Sequence, residues 1–263
     1  MTTKTSYPQG EFCWVDLMAH DIEAAKKFYG GLLDWQATDM DTQGGPPYVQ
    51  FTYQGQAVAG MGQMMPEMKA SGMSPVWNSY IAVDDVEAAA KQAAELGATI
   101  VMPPMKVLEA GSMAVVQDPT GAHVSLWQAG QHFGASLVNV PNSFSWNELA
   151  TRDEAKAREF YSRWMGWEFE KEPNSPNQYW TIANRGRLGG GMMLMSAPEF
   201  TGVPPHWAVY FAVADADATA KRAEELGGKI HVPPFDISVG RIAILADPHG
   251  GMFDVIAMTV EPD

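Results

Sequence analysis

"HDIEAAKKFYGGLLDW", His20 to Trp35, and "RDEAKAREFYSRWMGW", Arg152 to Trp167, start 132 positions apart and read as one sentence written twice. Each opens with an aspartate, Asp21 or Asp153, placed to cap a helix, and an acid follows in the first turn (Glu23, Glu154), where the helix dipole favours negative charge. Apolar residues then recur at helical spacing: Ile22, Ala25, Phe28, Tyr29 and Leu32 in one copy, Ala155, Phe160, Tyr161 and Trp164 in the other. Seven residues before each aspartate stands a tryptophan, Trp14 or Trp146.

Working outward, a strand pattern precedes each helix ("FCWVDLMA", "FSWNELAT"). Short β-rich stretches follow it ("YVQFTYQGQAVAGMGQM", "YWTIANRGRLGGGMMLM"), with Gly189 to Gly191 read as a hairpin. The unit is strand, helix, three strands. Trp14/Trp146, Tyr29/Tyr161, Trp35/Trp167, Tyr48/Tyr179 and Gly55/Gly186 hold register with a slip of one residue. A second pair of units starts at "WNSYIAVDDVEAAAKQAAELGA" and "WAVYFAVADADATAKRAEELGG" and closes through the turns "DPTG" and "DPHG". First and third units are alike, as are second and fourth, the mark of internal duplication. The expected fold is α+β with four βαβββ units, at 11–65, 76–130, 143–196 and 206–260. They form domains 1–130 and 143–263, joined by a linker at 131–142. Which units pair is left open by the sequence.

A hydrophobic fraction of 46% across 263 residues is enough for a core in each domain. The formal net charge of −14, with no run of Lys or Arg, argues against nucleic acid and anionic lipid as partners. No apolar run reaches the roughly 18 residues of a membrane span. The lone cysteine, Cys13, sits in a strand pattern and reads as a small buried hydrophobe. With no possible internal disulfide and no apolar leader, a cytoplasmic location is the expectation.

Asp21 with Phe28-Tyr29, Asp153 with Phe160-Tyr161, "VDDVEAAA…ELGA", "VADADATA…ELGG" and the "DPxG" turns together resemble the vicinal oxygen chelate superfamily, over nearly the whole chain. That superfamily includes glyoxalase I, bleomycin-resistance proteins and extradiol dioxygenases. "WVDL", "WNEL" and "DPTGAHVSLWQ" resemble its two-domain subgroup related to the mycobacterial 27 kDa antigen, whose members are labelled glyoxalase-like or hydroxylase. The resemblance implies two glyoxalase-like domains, each an open curled sheet with helices outside and a ligand cavity inside. In metal-using relatives a His, Glu or Gln stands seven residues before the helix-capping aspartate, and a Glu closes the last strand. Carried onto this chain those places hold Trp14, Asn78, Trp146 and Ala208, then Ser125 and Asp254. Only Asp254 is a good ligand, because indole has no free lone pair and alanine has no donor. No metal cofactor is therefore expected.

Strand alternation places Trp14 and Asp16 inside the curl, opposite Val15 and Leu17, and does the same for Trp146 and Glu148, Asn78 and Tyr80, and Ala208 and Tyr210. His123 and His206 share that parity. A carboxylate two residues from an indole, in both halves, suggests stacking on a flat or cationic small molecule. The candidate ligand-binding residues are Trp14, Asp16, Asn78, Tyr80, Ser125, Trp146, Glu148, Tyr210 and Asp254. No catalytic set is assigned, since neither a nucleophile elbow nor a phosphate loop is present. The leading expectation is a metal-free small-molecule-binding protein. The alternatives are a metal-dependent glyoxalase-like lyase or dioxygenase/hydroxylase using Asp254, Glu148 and a histidine, and a scaffold whose cavities have filled with side chains. Oligomeric state is not legible.

Overall fold

In a computed structural model, which describes residues 2–173, 175 and 178–259, the duplication becomes two matching sheets. The first half runs β1 (Thr2–Thr3), β2 (Phe12–Ala19), α1 (Ile22–Leu33), β3 (Gln36–Met40), β4 (Tyr48–Tyr53), β5 (Gln56–Gln63) and α2 (Pro66–Ala70). It continues with β6 (Val76–Ala82), α3 (Val86–Glu95), β7 (Thr99–Val107), β8 (Gly111–Gln117) and β9 (His123–Ala129). The second half runs β10 (Leu137–Val138), β11 (Ser143–Thr151), α4 (Glu154–Met165), β12 (Glu168–Lys171), β13 (Tyr179–Asn184) and β14 (Arg187–Leu194). It continues with β15 (His206–Ala212), α5 (Ala216–Glu225), β16 (Lys229–Ile237), β17 (Gly240–Ala246) and β18 (Met252–Met258). The ends expected for the fourth unit, 260, and the second domain, 263, lie outside the described residues.

The strand orders are β3-β4-β5-β2-β6-β9-β8-β7 and β12-β13-β14-β11-β15-β18-β17-β16. First pairs with second and third with fourth, through the antiparallel central pairs β2/β6 and β11/β15. The segment between halves is not slack: β10 lies parallel to β11 and carries β1 on its other side.

Asp21, Asp85, Asp153 and Asp215 each accept a hydrogen bond from the backbone N–H three residues on, so all four long helices start on the same cap, worth about 1 kcal/mol apiece. Gly189 to Gly191 do not form the expected hairpin. They lie within β14, and the turn before it is made by Arg185 and Gly186, both at positive φ.

The helices lie outside each curl, and there the halves meet. Helix α1 packs against α5 and α3 against α4, and Ser79 donates to Asn147 Oδ1 at 2.6 Å between the two sheets. The Trp77 indole donates to Tyr29, whose hydroxyl donates to Asp247 in the "DPHG" turn of the other half. Trp207, Tyr161 and Asp118 repeat the arrangement in the opposite direction. Trp35 and Trp167 each donate across the boundary, to Asn142 and Gly10 carbonyls. One continuous core fills this space. Tyr210, Ile242 and Ile256 form a separate small apolar cluster, joined by Trp146, Ala208 and Met258.

Candidate functional site: two curled faces

Trp14 and Trp146 lie on the face of their sheet away from the helices, and each is tied to a tyrosine on the neighbouring hairpin. Trp14 Nε1 donates to the Tyr48 hydroxyl at 3.0 Å and Trp146 Nε1 to the Tyr179 hydroxyl at 3.1 Å. Both tyrosines reach across a glycine to do so. A Cβ at Gly60 would sit 2.0 Å from the Tyr48 oxygen, and one at Gly191 would sit 1.8 Å from the Tyr179 oxygen. The glycines in "GMG" and "GGG" are thus seats for a phenol ring. Gly191→Ala is expected to cost about 1–3 kcal/mol in denaturant melts through this overlap. Gly189→Ala, where a Cβ meets nothing within 4 Å, should change stability by less than 0.5 kcal/mol, roughly the surface limit.

In the first half the carboxylate is well supplied. Asp16 accepts from Asn78 Nδ2 at 2.9 Å on one oxygen, and from the Tyr80 and Tyr48 hydroxyls at 2.9 and 3.3 Å on the other. Burial still raises its pKa, and these three bonds offset part of the rise. Ser125, buried, lies beside Tyr80 on β9. The indole of Trp14 is covered: His132 meets it edge-on at 4.5 Å, and Trp127, which also touches the imidazole ring, donates to the His132 carbonyl. Burial pushes the His132 pKa down to about 4, keeping the ring neutral.

The second half differs at each of these places. Ala208 stands opposite Glu148 where Asn78 stands opposite Asp16. Asp254, buried, lies beside Tyr210 where Ser125 lies beside Tyr80. Ile256 takes the place of Trp127, and Trp146 and Glu148 are only half-buried. Desolvation pushes the Glu148 pKa up to about 7 against the donation it receives from Tyr179 and Tyr210. Burial, and then the Glu148 charge, raise that of Asp254.

All nine expected ligand-binding residues therefore fall into two groups: Trp14, Asp16, Asn78, Tyr80 and Ser125 on one face, Trp146, Glu148, Tyr210 and Asp254 on the other. Tyr48, Tyr179, Ile242, Ile256 and Met258 belong with them and were not among the expected residues. The Tyr48/Tyr179 register and the glycines one strand over were the available signal. His132 had none, since it comes from the linker. Of the two histidines sharing the inward parity, His123 is exposed at the start of β9, and His206 is exposed with Nδ1 against the Pro204 carbonyl. Cys13 is fully buried, Sγ against the Tyr80 carbonyl, and burial pushes its thiol pKa up.

The donors present do not suit a divalent ion. Among the described residues no three His, Cys, Asp or Glu side chains come together as a ligand set. Glu148 and Asp254 have indole and alanine at the remaining places, where a metal would need oxygen or nitrogen.

Known proteins extend the geometry. The family described as Glyoxalase/Bleomycin resistance protein/Dioxygenase superfamily matches twice, over residues 12–126 and 143–255. "Putative glyoxylase CFP32" of Mycobacterium tuberculosis is 43% identical over 260 residues, covering 97% of this chain and 98% of that one. The anthracycline biosynthesis protein DnrV of Streptomyces peucetius is 35% identical over 266 residues, covering 97% and 95%. Among solved structures, the Mn(II)-bound glyoxalase from Novosphingobium aromaticivorans shares the fold, with a TM-score of 0.66 at 16% identity over 97% of this chain and 84% of that one. Two family matches, one on each sheet, and relatives aligned end to end make this chain a member of the Glyoxalase/Bleomycin resistance protein/Dioxygenase superfamily.

Proposed function

We propose that this chain is a metal-free, small-molecule-binding member of the superfamily, taking an aromatic or cationic ligand on a face lined by tryptophan and carboxylate. The observation that carries the reading is the linked Trp146, Tyr179 and Glu148. A half-buried indole is fixed by its N–H to Tyr179 and packs beside the Tyr210, Ile242 and Ile256 cluster, and the Glu148 carboxylate stands next to the same tyrosine. Stacking on such a ring contributes about 0.5–2 kcal/mol when the ligand is cationic. The resemblance implies a chelating side chain at this place in metal-using relatives, and an indole there would exchange coordination for stacking. The Streptomyces relative's name, an anthracycline biosynthesis protein, agrees with an aromatic ligand class.

The test is titration of intrinsic tryptophan fluorescence with flat aromatic amines and alcohols, before and after exhaustive chelation. Saturable quenching that survives chelation is the expected result. Quenching that vanishes with chelation and returns with Mn(II) overturns the metal-free reading, as would stoichiometric Zn, Fe, Mn or Ni in protein purified without added metal. The second reading, a metal-dependent lyase or dioxygenase, draws on the mycobacterial relative's name and on Asp254 at the closing-strand position.

A further inference from the structure

The internal duplication supplies a comparison that no second protein is needed for: one chain holds two versions of the same face, and they have diverged in hydrogen-bond supply. On the first face a single carboxylate, Asp16, receives three donors, from Asn78, Tyr80 and Tyr48. On the second, two carboxylates share the neighbourhood of two phenols: Tyr179 and Tyr210 flank Glu148, Tyr210 also lies beside Asp254 on the next strand, and a phenol has one proton to give. Among the described residues no basic side chain pairs with either carboxylate, and Ala208 stands where the amide of Asn78 stands on the first face. A carboxylate held in a largely apolar setting gains about 1–3 kcal/mol from each donor supplied to it, and the half-buried Glu148 can take one from outside the chain.

The apolar surroundings diverge in the same direction. Trp14 is 3% exposed beneath His132, and the linker that carries His132 is held by Gln131 and His132 N–H bonds to the Glu109 and Ala110 carbonyls. On the second face Trp146 is half-buried, and Tyr210, Ile242 and Ile256 make an apolar wall that belongs to no other core. Phe235, 40% exposed, extends it from β16 opposite Ile242. The segment corresponding to the His132 linker falls largely at 260–263, outside the described residues, so the comparison rests on the strand residues.

We infer that the chain binds one ligand, on the second face alone, and that this ligand is an aromatic body bearing an N–H donor, an amine or ammonium, delivered between Glu148 and Asp254. The inference rests on the function proposed above and narrows it to one half and one ligand class. The first face has become a packed element whose carboxylate is satisfied from within.

Calorimetric and fluorescence titration with 1-naphthylmethylamine and its isostere 1-naphthalenemethanol tests it. One equivalent of the amine per chain is expected, with affinity at least about tenfold above the alcohol, the usual worth of a charge-assisted bond. Glu148→Gln, which keeps the shape and brings its own donor, should bring the two affinities within about twofold of each other, a difference under 0.5 kcal/mol. Ala208→Asn should do the same by writing the first face's solution onto the second. Two equivalents per chain, or equal affinity for amine and alcohol in the unmodified protein, overturns the inference while leaving the broader function standing. Failure of both probes to bind overturns both.

Discussion

Asp118→Ala should cost the entire chain about 3–5 kcal/mol, and the loss should appear as one unfolding transition moved down by roughly 10 °C, not as a first half melting away from a second. The carboxylate is almost wholly buried. One oxygen accepts from the Thr120, Gly121 and Ala122 N–H groups and the Thr120 hydroxyl, which fixes the "DPTG" turn. The other accepts from Tyr161 on α4 of the opposite half at 2.9 Å. Alanine would leave these donors buried without partners, each a penalty of about 1 kcal/mol or more. Tyr161→Phe leaves the turn's own bonds in place but removes both the cross-half bond and the acceptor of the Trp207 indole N–H, and should cost about 1–3 kcal/mol. The twin, Asp247, has fewer donors, His249 and Gly251 N–H with Tyr29 at 3.2 Å, so Asp247→Ala should cost less than Asp118→Ala. A biphasic melt in Asp118→Ala, with one phase at the unmodified temperature, would show that the halves are independent and that the tyrosine links are incidental.

Those links mark the boundary of what the chain of letters discloses. Asp21 and Asp153 announce helix starts because capping is local, reaching three residues. The inward face of β2 and β11 follows from alternation alone. Tyr29 and Asp247 are 218 positions apart, and their contact depends on how two finished sheets dock, which no periodicity encodes. The Tyr48/Tyr179 correspondence is visible as register, but its meaning requires knowing that Gly60 and Gly191 lie under the rings. "GGG" misleads for the same reason: three glycines resemble a turn, yet one of them is there because a neighbouring strand's phenol occupies the space of a side chain. That Trp14, Trp146 and Ala208 stand where the family pattern would put chelating groups was legible, because the duplication and that pattern fix their places. That His132 covers one indole was not, since a loop side chain obeys no spacing rule.

The carboxylates of both faces and the His132 imidazole should also give the protein opposed responses to pH, and single substitutions should separate them. Glu148 titrates near 7 in the folded chain against an ordinary value of 4.5, so between these limits the folded state keeps a proton that the unfolded state has released. Stability from this group is therefore greatest below pH 4.5 and declines as pH rises toward 7, by at most about 3 kcal/mol, less to the extent that water reaches the half-buried carboxylate. Asp16 and Asp254, also raised, push the same way. His132 pushes in the other direction. Its pKa falls from 6.5 to about 4, so within that window the unfolded state binds the extra proton and stability climbs with pH. Between pH 4.5 and 6.5 the two tendencies partly cancel in the unmodified protein, and above 6.5 only the carboxylates act. Urea melts from pH 4 to pH 8 should show Glu148→Gln gaining on the unmodified protein as pH rises, with the difference levelling off above 7. His132→Phe should gain instead as pH falls below 6.5. A Glu148→Gln difference that stays constant across the range would mean that this carboxylate is ionised throughout, hydrated like a surface acid. The second face would then lack the unmet demand for a proton donor that sets it apart from the first.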